Sequence, residues 1–382
     1  MSDVWERPTE VLLTGAAGFV GSHMLRRLLR DTDWIIHCPV SFKHHGNPER
    51  ITHVIAEAEA EDDLNGQTAW ERVRLVPCDL SLPLGPTITA AWSRCRFVFN
   101  VASSSHVDRS VLEPGEFIRN NVALMTNVLD AARRMSDLEI FLQMSTDEVY
   151  GPAPAGHEHV EWETILPSNP YSASKTAQEA IAFSYWRTYD VPIIITNTMN
   201  IIGERQDPEK FLPMVIRKLM TGEKITVHSS KTGEAGSRFY LHAANLADAW
   251  MCIAATFNSH SGTRGLPRYS QGLDRPARFN IVGEREVKND ELVKIIARTL
   301  AQLGELKLRV MSLPNAEEYA ESLIERVDFH SSRPGHDLRY ALDGGEITRH
   351  LGWEPPVKLT DSIHKTVQWY TRNSEWLILH SD

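Results

Sequence analysis

The chain is poor in several features that mark particular protein classes. Its four cysteines are scattered, with no CxxC pattern and no Cys/His cluster, which disfavours a zinc site or a disulfide framework. No apolar stretch approaches the roughly 18 residues that a membrane helix needs. The first ten residues, "MSDVWERPTE", are polar and acidic, which is not typical of a signal peptide. We therefore expect a cytoplasmic protein with reduced thiols, no metal and no membrane partner.

Basic residues are outnumbered by acidic ones: the chain has 40 Lys and Arg residues and 50 Asp and Glu residues, so its formal net charge is -10. Phosphate backbones attract a basic face, so this balance disfavours a nucleic-acid partner, although it permits a local site for a small anion. The composition, 42% hydrophobic and 24% charged, is ordinary for a folded protein. A length of 382 residues predicts two domains or one large composite domain.

The first informative pattern is "EVLLTGAAGFVGSHMLRRLLRD", at residues 10–31. A short apolar run of strand type leads into three glycines spaced GxxGxxG, and helical spacing of apolar residues follows. In a dinucleotide site the first glycine permits a tight turn, the second lets backbone approach a pyrophosphate, and the third lets the helix pack closely. The pattern predicts such a site, with these cofactor-binding residues: Gly15, Gly18, Phe19, Val20 and Gly21.

The second predicted strand, "WIIHCPV" (Trp34 to Val40), bears on which dinucleotide binds. An NAD site usually has an acidic residue at the end of this strand, where it bonds the adenosine ribose. Here Ser41, Phe42 and Lys43 follow instead, with no acid. Ser41 and Lys43 suit a 2'-phosphate, as in NADP, but ordinary loop residues have the same composition. The pattern leaves NAD and NADP open.

Strands and helices continue to alternate after this point. "VRLVPCDL" and "RFVFNVAS" read as strands, Pro114 to Arg134 as a long helix, and "EIFLQMS" as a further strand. Asp79 and Leu80, at the end of "VRLVPCDL", are candidates to contact the adenine. Repeated βα units predict an α/β fold with a doubly wound, mostly parallel Rossmann sheet.

Two adjacent acids follow the last of these strands in "STDEVYG", where Asp147 and Glu148 come after Thr146. A solvated turn is the ordinary explanation of an Asp-Glu pair. In open parallel sheets, however, ligands bind beyond the carboxyl ends of the strands, and these residues lie at such an end. We therefore interpret all three as site residues.

A second motif, "NPYSASK", places Tyr171 and Lys175 four residues apart, on one face of a predicted helix. An ammonium beside a phenol favours the phenolate and lowers the pKa of the phenol from about 10. Tyr171 could then take a proton from a sugar hydroxyl while hydride leaves the same carbon for nicotinamide. Lys175 could also hold the nicotinamide ribose. A packed tyrosine beside a surface lysine is the alternative.

With these motifs the chain resembles the extended short-chain dehydrogenases/reductases, and specifically the dTDP-glucose 4,6-dehydratase family. The resemblance runs almost end to end, since it includes "SSHVDRS", "NIIGERQDPEKFLP", "RPGHDLRYALD" and "LGWEPP". Related epimerases lack the Asp-Glu pair after Ser-Thr, and sugar-acid decarboxylases typically have Ser-Glu there. The resemblance therefore implies a nucleoside-diphosphate-hexose 4,6-dehydratase, a lyase of deoxysugar biosynthesis.

The resemblance also implies a mechanism. Tyr171, with Thr146 beside it, deprotonates the C4 hydroxyl while hydride goes to the cofactor. Glu148 then removes the acidified C5 proton, Asp147 protonates the departing C6 hydroxyl, and hydride returns to C6. Adjacent acids oppose joint ionisation, and the sequence does not decide which of the two holds the proton. The cofactor ends unchanged and stays tightly bound, which favours NAD over NADP.

The same resemblance implies a division of the chain. Residues 1–200 form the dinucleotide-binding Rossmann domain, with a returning segment near 240–258, and residues 201–382 are mainly a smaller α/β domain that binds the nucleotide sugar. A dTDP- or UDP-hexose is the expected substrate. The substrate-binding candidates are Ser105 and His106 for the sugar, and Asn200, Lys210, Arg238 and Arg333 for the diphosphate and nucleoside.

Relatives pair through the long helices on either side of the catalytic strand, so the resemblance also implies a homodimer. Here these helices are Pro114–Arg134 and Tyr171–Tyr189. The second offers an apolar face to a partner, although a helix buried within the chain has the same pattern. That face comprises Ile181, Phe183, Tyr185 and Trp186.

The chain departs from the family pattern at several positions, which leaves the nucleotide base and the hexose open. In "SRFYLHAAN", Phe239 and Asn245 stand where the family has aspartates, and Asn100 and Ser103 replace the histidine and alanine expected after the fourth strand. An epimerase or decarboxylase of the same fold, and a non-catalytic nucleotide-sugar-binding protein, remain as alternatives. The complete Thr-Asp-Glu-Tyr-Lys set disfavours both.

Overall fold

The computed structural model describes residues 8–43, 46–61, 68–258, 275–306, 315–328 and 337–378. Its N-terminal half alternates strands with helices. In chain order the elements are β1 (Glu10–Thr14), α1 (Phe19–Asp31), β2 (Ile35–Val40), α2 (Pro48–Ala60), α3 (Ala69–Arg72), β3 (Val73–Pro77), α4 (Pro86–Ala91), β4 (Phe97–Asn100), α5 (Val107–Leu112), α6 (Pro114–Ala132), β5 (Ile140–Thr146), a 3-10 turn (Asp147–Tyr150), α7 (Pro170–Tyr189) and β6 (Ile193–Thr198).

The C-terminal half has shorter strands and several helices. Its elements are β7 (Ile201–Ile202), α8 (Phe211–Thr221), β8 (Ile225–Ser229), β9 (Ser237–Phe239), β10 (Leu241–His242), α9 (Ala243–Asn258), β11 (Ala277–Ile281), β12 (Glu286–Lys288), α10 (Asn289–Gln302), α11 (Ala316–Leu323), β13 (Ile324–Asp328), α12 (Gly345–Leu351), α13 (Leu359–Arg372) and a last 3-10 turn (Ser374–Leu377).

The central sheet has seven parallel strands in the order β11-β6-β5-β4-β1-β2-β3. Apart from the partly exposed edge strand β3, its strands are buried on both faces, which explains their nearly continuous apolar runs. In β1, for example, Val11 and Leu13 belong to one hydrophobic core, whereas Leu12 faces a second core on the opposite side. The predicted α/β class with a doubly wound parallel sheet is confirmed.

The chain returns to this sheet after it has entered the C-terminal half. Trp250 and Ile253 of α9 pack in the same core as Val11, in keeping with the segment expected near 240–258. The sequence did not indicate that β11 would then pair with β6 as the seventh strand. A separate core joins α8, α10, α11 and α13 beside the two-stranded ladder of β8 and β13. The division of the chain near residue 200 stays a prediction.

Among the described residues, no helix is both long and apolar enough to cross a membrane. All four cysteines fall within the described ranges and are free thiols.

One ion pair lies fully inside the protein, between Glu179 of α7 and Arg278 of β11. Both side chains have no solvent exposure. The Glu179 carboxylate also accepts hydrogen bonds from Ser145 and from Asn197 Nδ2, the latter at 3.0 Å. Arg278 Nη1 lies 3.1 Å from the Tyr150 hydroxyl. The pair therefore ties α7 to the ends of three strands and to the turn that follows β5.

Replacement of Glu179 by Gln should destabilise the protein by about 3–5 kcal/mol, because Arg278 would remain buried without a counter-charge. Urea unfolding followed by circular dichroism measures this change. Glu317→Gln is the matched control, since Glu317 pairs with Arg298 where both side chains are 49% exposed. That variant should lose less than about 1 kcal/mol. Equal effects in the two variants would contradict the assignment of the buried pair.

Candidate active site

The turn between β1 and α1 is built for close approach of a ligand. Gly15 has φ +74°, a conformation that residues with a side chain rarely adopt, and a Cβ on Gly21 would lie 2.0 Å from the Gly15 carbonyl oxygen. The helix begins after Gly18, and no side chain caps its free N–H groups. An uncapped helix N-terminus beside a glycine turn suits a diphosphate.

A cavity of about 420 Å³ opens in front of this turn, over the carboxyl ends of the sheet strands. It brings together predicted residues that are far apart in the sequence. Those that line it are Gly15, Gly18, Phe19, Val20, Gly21, Asp79, Leu80, Ser105, His106, Tyr171, Lys175 and Lys210.

The edge of the cavity beyond β2 carries an ion pair that the sequence did not reveal. Lys43 Nζ lies 2.5 Å from Asp79 Oδ2, and the Ser81 backbone and hydroxyl bond the other carboxylate oxygen. Burial opposes ionisation, but the bonds from Lys43 and Ser81 prevail and hold the pKa of Asp79 at about 2. The strand β2 indeed ends without an acid, yet the end of β3 supplies a carboxylate to the same edge.

The two adjacent acids lie in different surroundings. Asp147 is 5% exposed; its Oδ1 accepts a hydrogen bond of 2.8 Å from Thr146, and its Oδ2 has no hydrogen-bond partner within the described structure. Glu148 is half-buried, and its Oε2 accepts a 3.0 Å bond from Asn169 Nδ2. The start of the 3-10 turn thus directs one carboxyl inward and leaves the other nearer to solvent.

These surroundings separate the protonation states of the two acids. Burial, and then the nearby charge of Glu148, raise the pKa of Asp147 to about 7, against the opposing effects of Thr146 and Arg238. Near neutral pH, Asp147 therefore carries a proton in a large fraction of molecules. Of the two acids, Asp147 is therefore the one that burial favours as the proton donor.

Tyr171 and Lys175 both line the cavity from the start of α7, but their electrostatics differ from the expectation. Burial, followed by the charge of Glu148, raises the pKa of Tyr171, and a hydrogen bond with Thr146 opposes the shift. Lys175 Nζ donates to the Met144 carbonyl oxygen at 2.8 Å and to Gln178 Oε1 at 2.7 Å. The expectation that Lys175 lowers the pKa of Tyr171 is wrong for this arrangement, because the ammonium points to those two oxygens.

The residues expected to bind the substrate divide into two groups. Ser105, His106 and Lys210 line the cavity. His106 begins α5, where its Nδ1 accepts a bond from the Arg109 N–H at 3.3 Å, and its Nε2 lies 3.1 Å from Glu209. Lys210, which precedes α8, lies 3.8 Å from the same carboxylate. These three residues are therefore placed to meet a ligand.

Two of the other three residues are not placed as expected. Asn200 is exposed and does not line the described cavity. Arg238 does not show the expected phosphate grip: its Nη atoms donate to the carbonyl oxygens of Ser237, Asp337 and Leu338 at 2.6–2.7 Å, so it holds the 337–338 segment. Arg333 lies outside the described residues.

Asn169 is a site residue that the sequence analysis missed. Its side-chain oxygen caps α7 by accepting the Ser172 N–H at 2.8 Å, while its Nδ2 holds Glu148. The signal was present in "SNPY", because Asn followed by Pro is a typical helix start. One residue therefore couples the start of the Tyr171 helix to the Glu148 carboxylate.

Comparisons with known proteins show the family to which the chain belongs. Residues 11–264 match the family described as "NAD dependent epimerase/dehydratase family". A dTDP-glucose 4,6-dehydratase of Escherichia coli is 32% identical, over 96% of this chain and 95% of that protein. One of Neisseria meningitidis serogroup B is also 32% identical, over 96% and 94%.

A solved structure gives the same result. DesIV, a dTDP-glucose 4,6-dehydratase from Streptomyces venezuelae with NAD and TYD bound, is 28% identical and superposes with a TM-score of 0.74. The match covers 96% of this chain and 98% of DesIV. The family resemblance inferred from the motifs is thereby confirmed. The chain belongs to the NAD dependent epimerase/dehydratase family, within which it is similar over nearly its whole length to dTDP-glucose 4,6-dehydratases.

Proposed function

We propose that this protein is an NAD-dependent nucleoside-diphosphate-hexose 4,6-dehydratase that forms an NDP-4-keto-6-deoxyhexose. The observation that carries the proposal is the contrast between Asp147, buried with a raised pKa, and the half-buried Glu148, both next to Tyr171. Elimination of water needs a proton donor and a proton acceptor in one place. An epimerase that acts only at C4 does not need Asp147 and Glu148 as a second pair of proton-transfer groups.

The residues that line the cavity fit NAD. The glycine turn and the uncapped start of α1 would hold its diphosphate, Asp79 and Leu80 its adenine, and Lys175 its nicotinamide ribose. When bound, NAD supplies the acceptor and later the donor of hydride in this reaction. The chain's own residues must bind and orient the sugar and move its protons.

The first proton to move is that of the C4 hydroxyl, and Tyr171 is its acceptor. The Thr146 hydrogen bond favours the phenolate, against the effects of burial and of Glu148. Lys175 has its pKa lowered to about 8 by burial, with Glu179 opposing, so it stays mostly charged at neutral pH. In the described arrangement Met144 and Gln178 hold its ammonium, so the Thr146 hydrogen bond is the contact that favours the phenolate.

The elimination step uses the two acids in opposite senses. The C4 ketone acidifies the proton on C5, and Glu148 removes it. Asp147, protonated near neutral pH, donates a proton to the C6 hydroxyl, which leaves as water. C5 is afterwards reprotonated when C6 has been reduced. Asn169 keeps Glu148 oriented during these steps.

We propose dTDP-glucose as the substrate, because the curated relatives that match almost the full chain act on it by name. A UDP-hexose is the alternative that the departures at Phe239 and Asn245 keep open. Lys210 and His106 are the described candidates for contacts to the substrate, since both line the cavity.

A homodimer and a cytoplasmic location stay predictions. The helices α6 and α7 pack side by side, as the expected dimer requires. Trp186, however, is 4% exposed and belongs to the core of its own chain, and Phe183 stacks on Trp162. Of the face predicted for a partner, Ile181 and Tyr185 are only partly buried and so remain as candidate contacts.

The function is tested by incubating purified protein with a panel of nucleotide hexoses and recording mass spectra. We expect dTDP-glucose to lose one water without added cofactor, because NAD is regenerated within each turnover. UDP-glucose and UDP-N-acetylglucosamine are the comparison substrates. Formation of an isomer, or loss of carbon dioxide from a UDP-sugar acid, in place of water would refute the dehydratase assignment.

The pH dependence follows from the raised pKa of Asp147. Because the acid form donates the proton, kcat should fall as pH rises through about 7. Asp147→Asn should lower kcat by about 10²–10⁴-fold and should abolish this limb of the profile. Steady-state rates between about pH 5.5 and 9 provide the measurement. A wild-type limb that persists in the variant would assign the titration to another group.

Cofactor preference should depend on the Lys43–Asp79 pair. Asp79 neutralises Lys43, so the wild-type protein should bind NAD better than NADP. Asp79→Asn frees the ammonium for a 2'-phosphate and should shift the NADP/NAD affinity ratio by about tenfold towards NADP. Calorimetric titration of cofactor-stripped protein measures both affinities. Lys43→Gln combined with Asp79→Asn is the control, and it should show no such shift towards NADP.

A further inference from the structure

A cluster of metal-ligand type lies in the loop between the 3-10 turn and α7. The sequence there, "HEHVEWE", runs from residue 157 to residue 163. Its two histidines and its last glutamate converge, so that one ligand atom from each of His157, His159 and Glu163 lies within 4.8 Å of the others. The absence of a cysteine motif led us to expect no metal, and this short histidine pattern was missed.

The distances within the cluster are close to those around a bound ion. His157 Nε2 lies 3.1 Å from Glu163 Oε1 and 3.2 Å from Oε2, and His159 Nδ1 contacts the same carboxylate. Zinc bonds of about 2.0–2.1 Å in tetrahedral geometry place neighbouring ligand atoms about 3.3 Å apart. Small side-chain rotations would therefore admit an ion between the three groups.

Charges of both signs surround the cluster. Glu158, between the two histidines, is exposed. Arg275 and Arg278 lie over the Trp162 ring, 4.6 and 4.4 Å from its centroid, and Arg278 is paired with Glu179. Arg339 donates to the carbonyl oxygens of Pro154 and His157 and is paired with Glu286 by bonds of 2.8 and 3.0 Å. Arg278 and Arg339 thus have other carboxylates as partners, and Glu163 remains for the ion.

A second cluster, formed by His23, Glu204 and His242, has similar spacing but more deeply buried histidines. His242 Nδ1 accepts the Ala244 N–H at 3.1 Å, which places the proton of the neutral ring on Nε2, the atom that faces Glu204. His23 Nε2 also faces an acceptor, the Glu204 carbonyl oxygen at 2.9 Å. Because a backbone bond fixes the His242 tautomer, and because His23 and His242 are only 5% and 6% exposed, this cluster is less suited to a metal than the half-exposed one.

We propose that His157, His159 and Glu163 bind a divalent first-row transition ion of the zinc type, with a fourth position open to water. Two imidazoles and a carboxylate are ligands that Zn²⁺ accepts in this number. The half-exposed positions of all three residues allow the ion to enter.

A bound ion would restrict the motion of the 3-10 turn Asp147–Tyr150, which carries both acids. The His159 ring stacks on that of Tyr150, with centroids 5.4 Å apart, and Tyr150 ends the turn that begins with Asp147. The His159 backbone also bonds Ala341 and Asp343, each at 3.0 Å. An ion on His159 and Glu163 therefore fastens the loop that connects Glu148 to Tyr171.

The test uses the tag-free, full-length protein after treatment with a chelator, and Zn²⁺ alone as the probe. Calorimetry should show one equivalent bound, and the melting temperature should rise with Zn²⁺. His157→Ala and Glu163→Gln should each weaken binding by at least about tenfold, since even the outer-shell partners of metal ligands are worth about 10–100-fold. Both variants spare His159, whose ring packs on Tyr150.

His364→Ala is the control, because it removes an exposed imidazole of α13 far along the chain from the cluster. It should bind Zn²⁺ as the wild type does. The proposal is overturned if the wild type binds no stoichiometric Zn²⁺, or if His157→Ala and Glu163→Gln bind it as tightly as the wild type. The latter result would place the ion on other ligands. Both readouts are independent of turnover, so they do not depend on the proposed dehydratase activity.

Discussion

The buried ion pair between Glu179 and Arg278 is the interaction on which the catalytic end of the sheet depends. Two opposite charges without solvent exposure are retained only where each has its partner and further hydrogen bonds. Here Ser145, next to Thr146, donates a hydrogen bond to Glu179, and Tyr150, at the end of the Asp147 turn, accepts one from Arg278. Glu179 also lies one helical turn beyond Lys175. The pair thus fixes the acids and the Tyr-Lys helix relative to one another.

The arrangement fixed by this ion pair matters because the difference in burial gives the two acids different roles. Asp147 and Glu148 have nearly the same chemistry, and in water both would be ionised at neutral pH. The turn buries Asp147 and leaves Glu148 nearer to Asn169 and solvent, so that the pKa of Asp147 rises to about 7. A shift of the turn that hydrated Asp147 would remove this difference. The geometry, more than the residue types, creates the acid and base pair.

The sequence predicted the fold class, the glycine turn and most of the cavity, because local patterns decide them. Glycine spacing, strand runs and the Tyr-Lys interval each depend on residues close together in the chain. The failures concern contacts between distant segments. The place of β11 at the sheet edge, the pairing of Arg278 with Glu179, and the use of Arg238 to hold the 337–338 segment depend on tertiary packing. No periodicity along the chain encodes such contacts.

Cofactor recognition illustrates the same limit. The end of β2 carries no acid, and by itself it leaves NADP open. The ends of neighbouring parallel strands meet at one edge of the sheet, so a residue after β3 can take the place of one after β2. Asp79 brings a carboxylate to this edge, and because it pairs with Lys43 it also neutralises the cation that a 2'-phosphate would need. Cofactor preference therefore depends on the edge formed by β2 and β3 together, and a prediction based on β2 alone omits the carboxylate that follows β3.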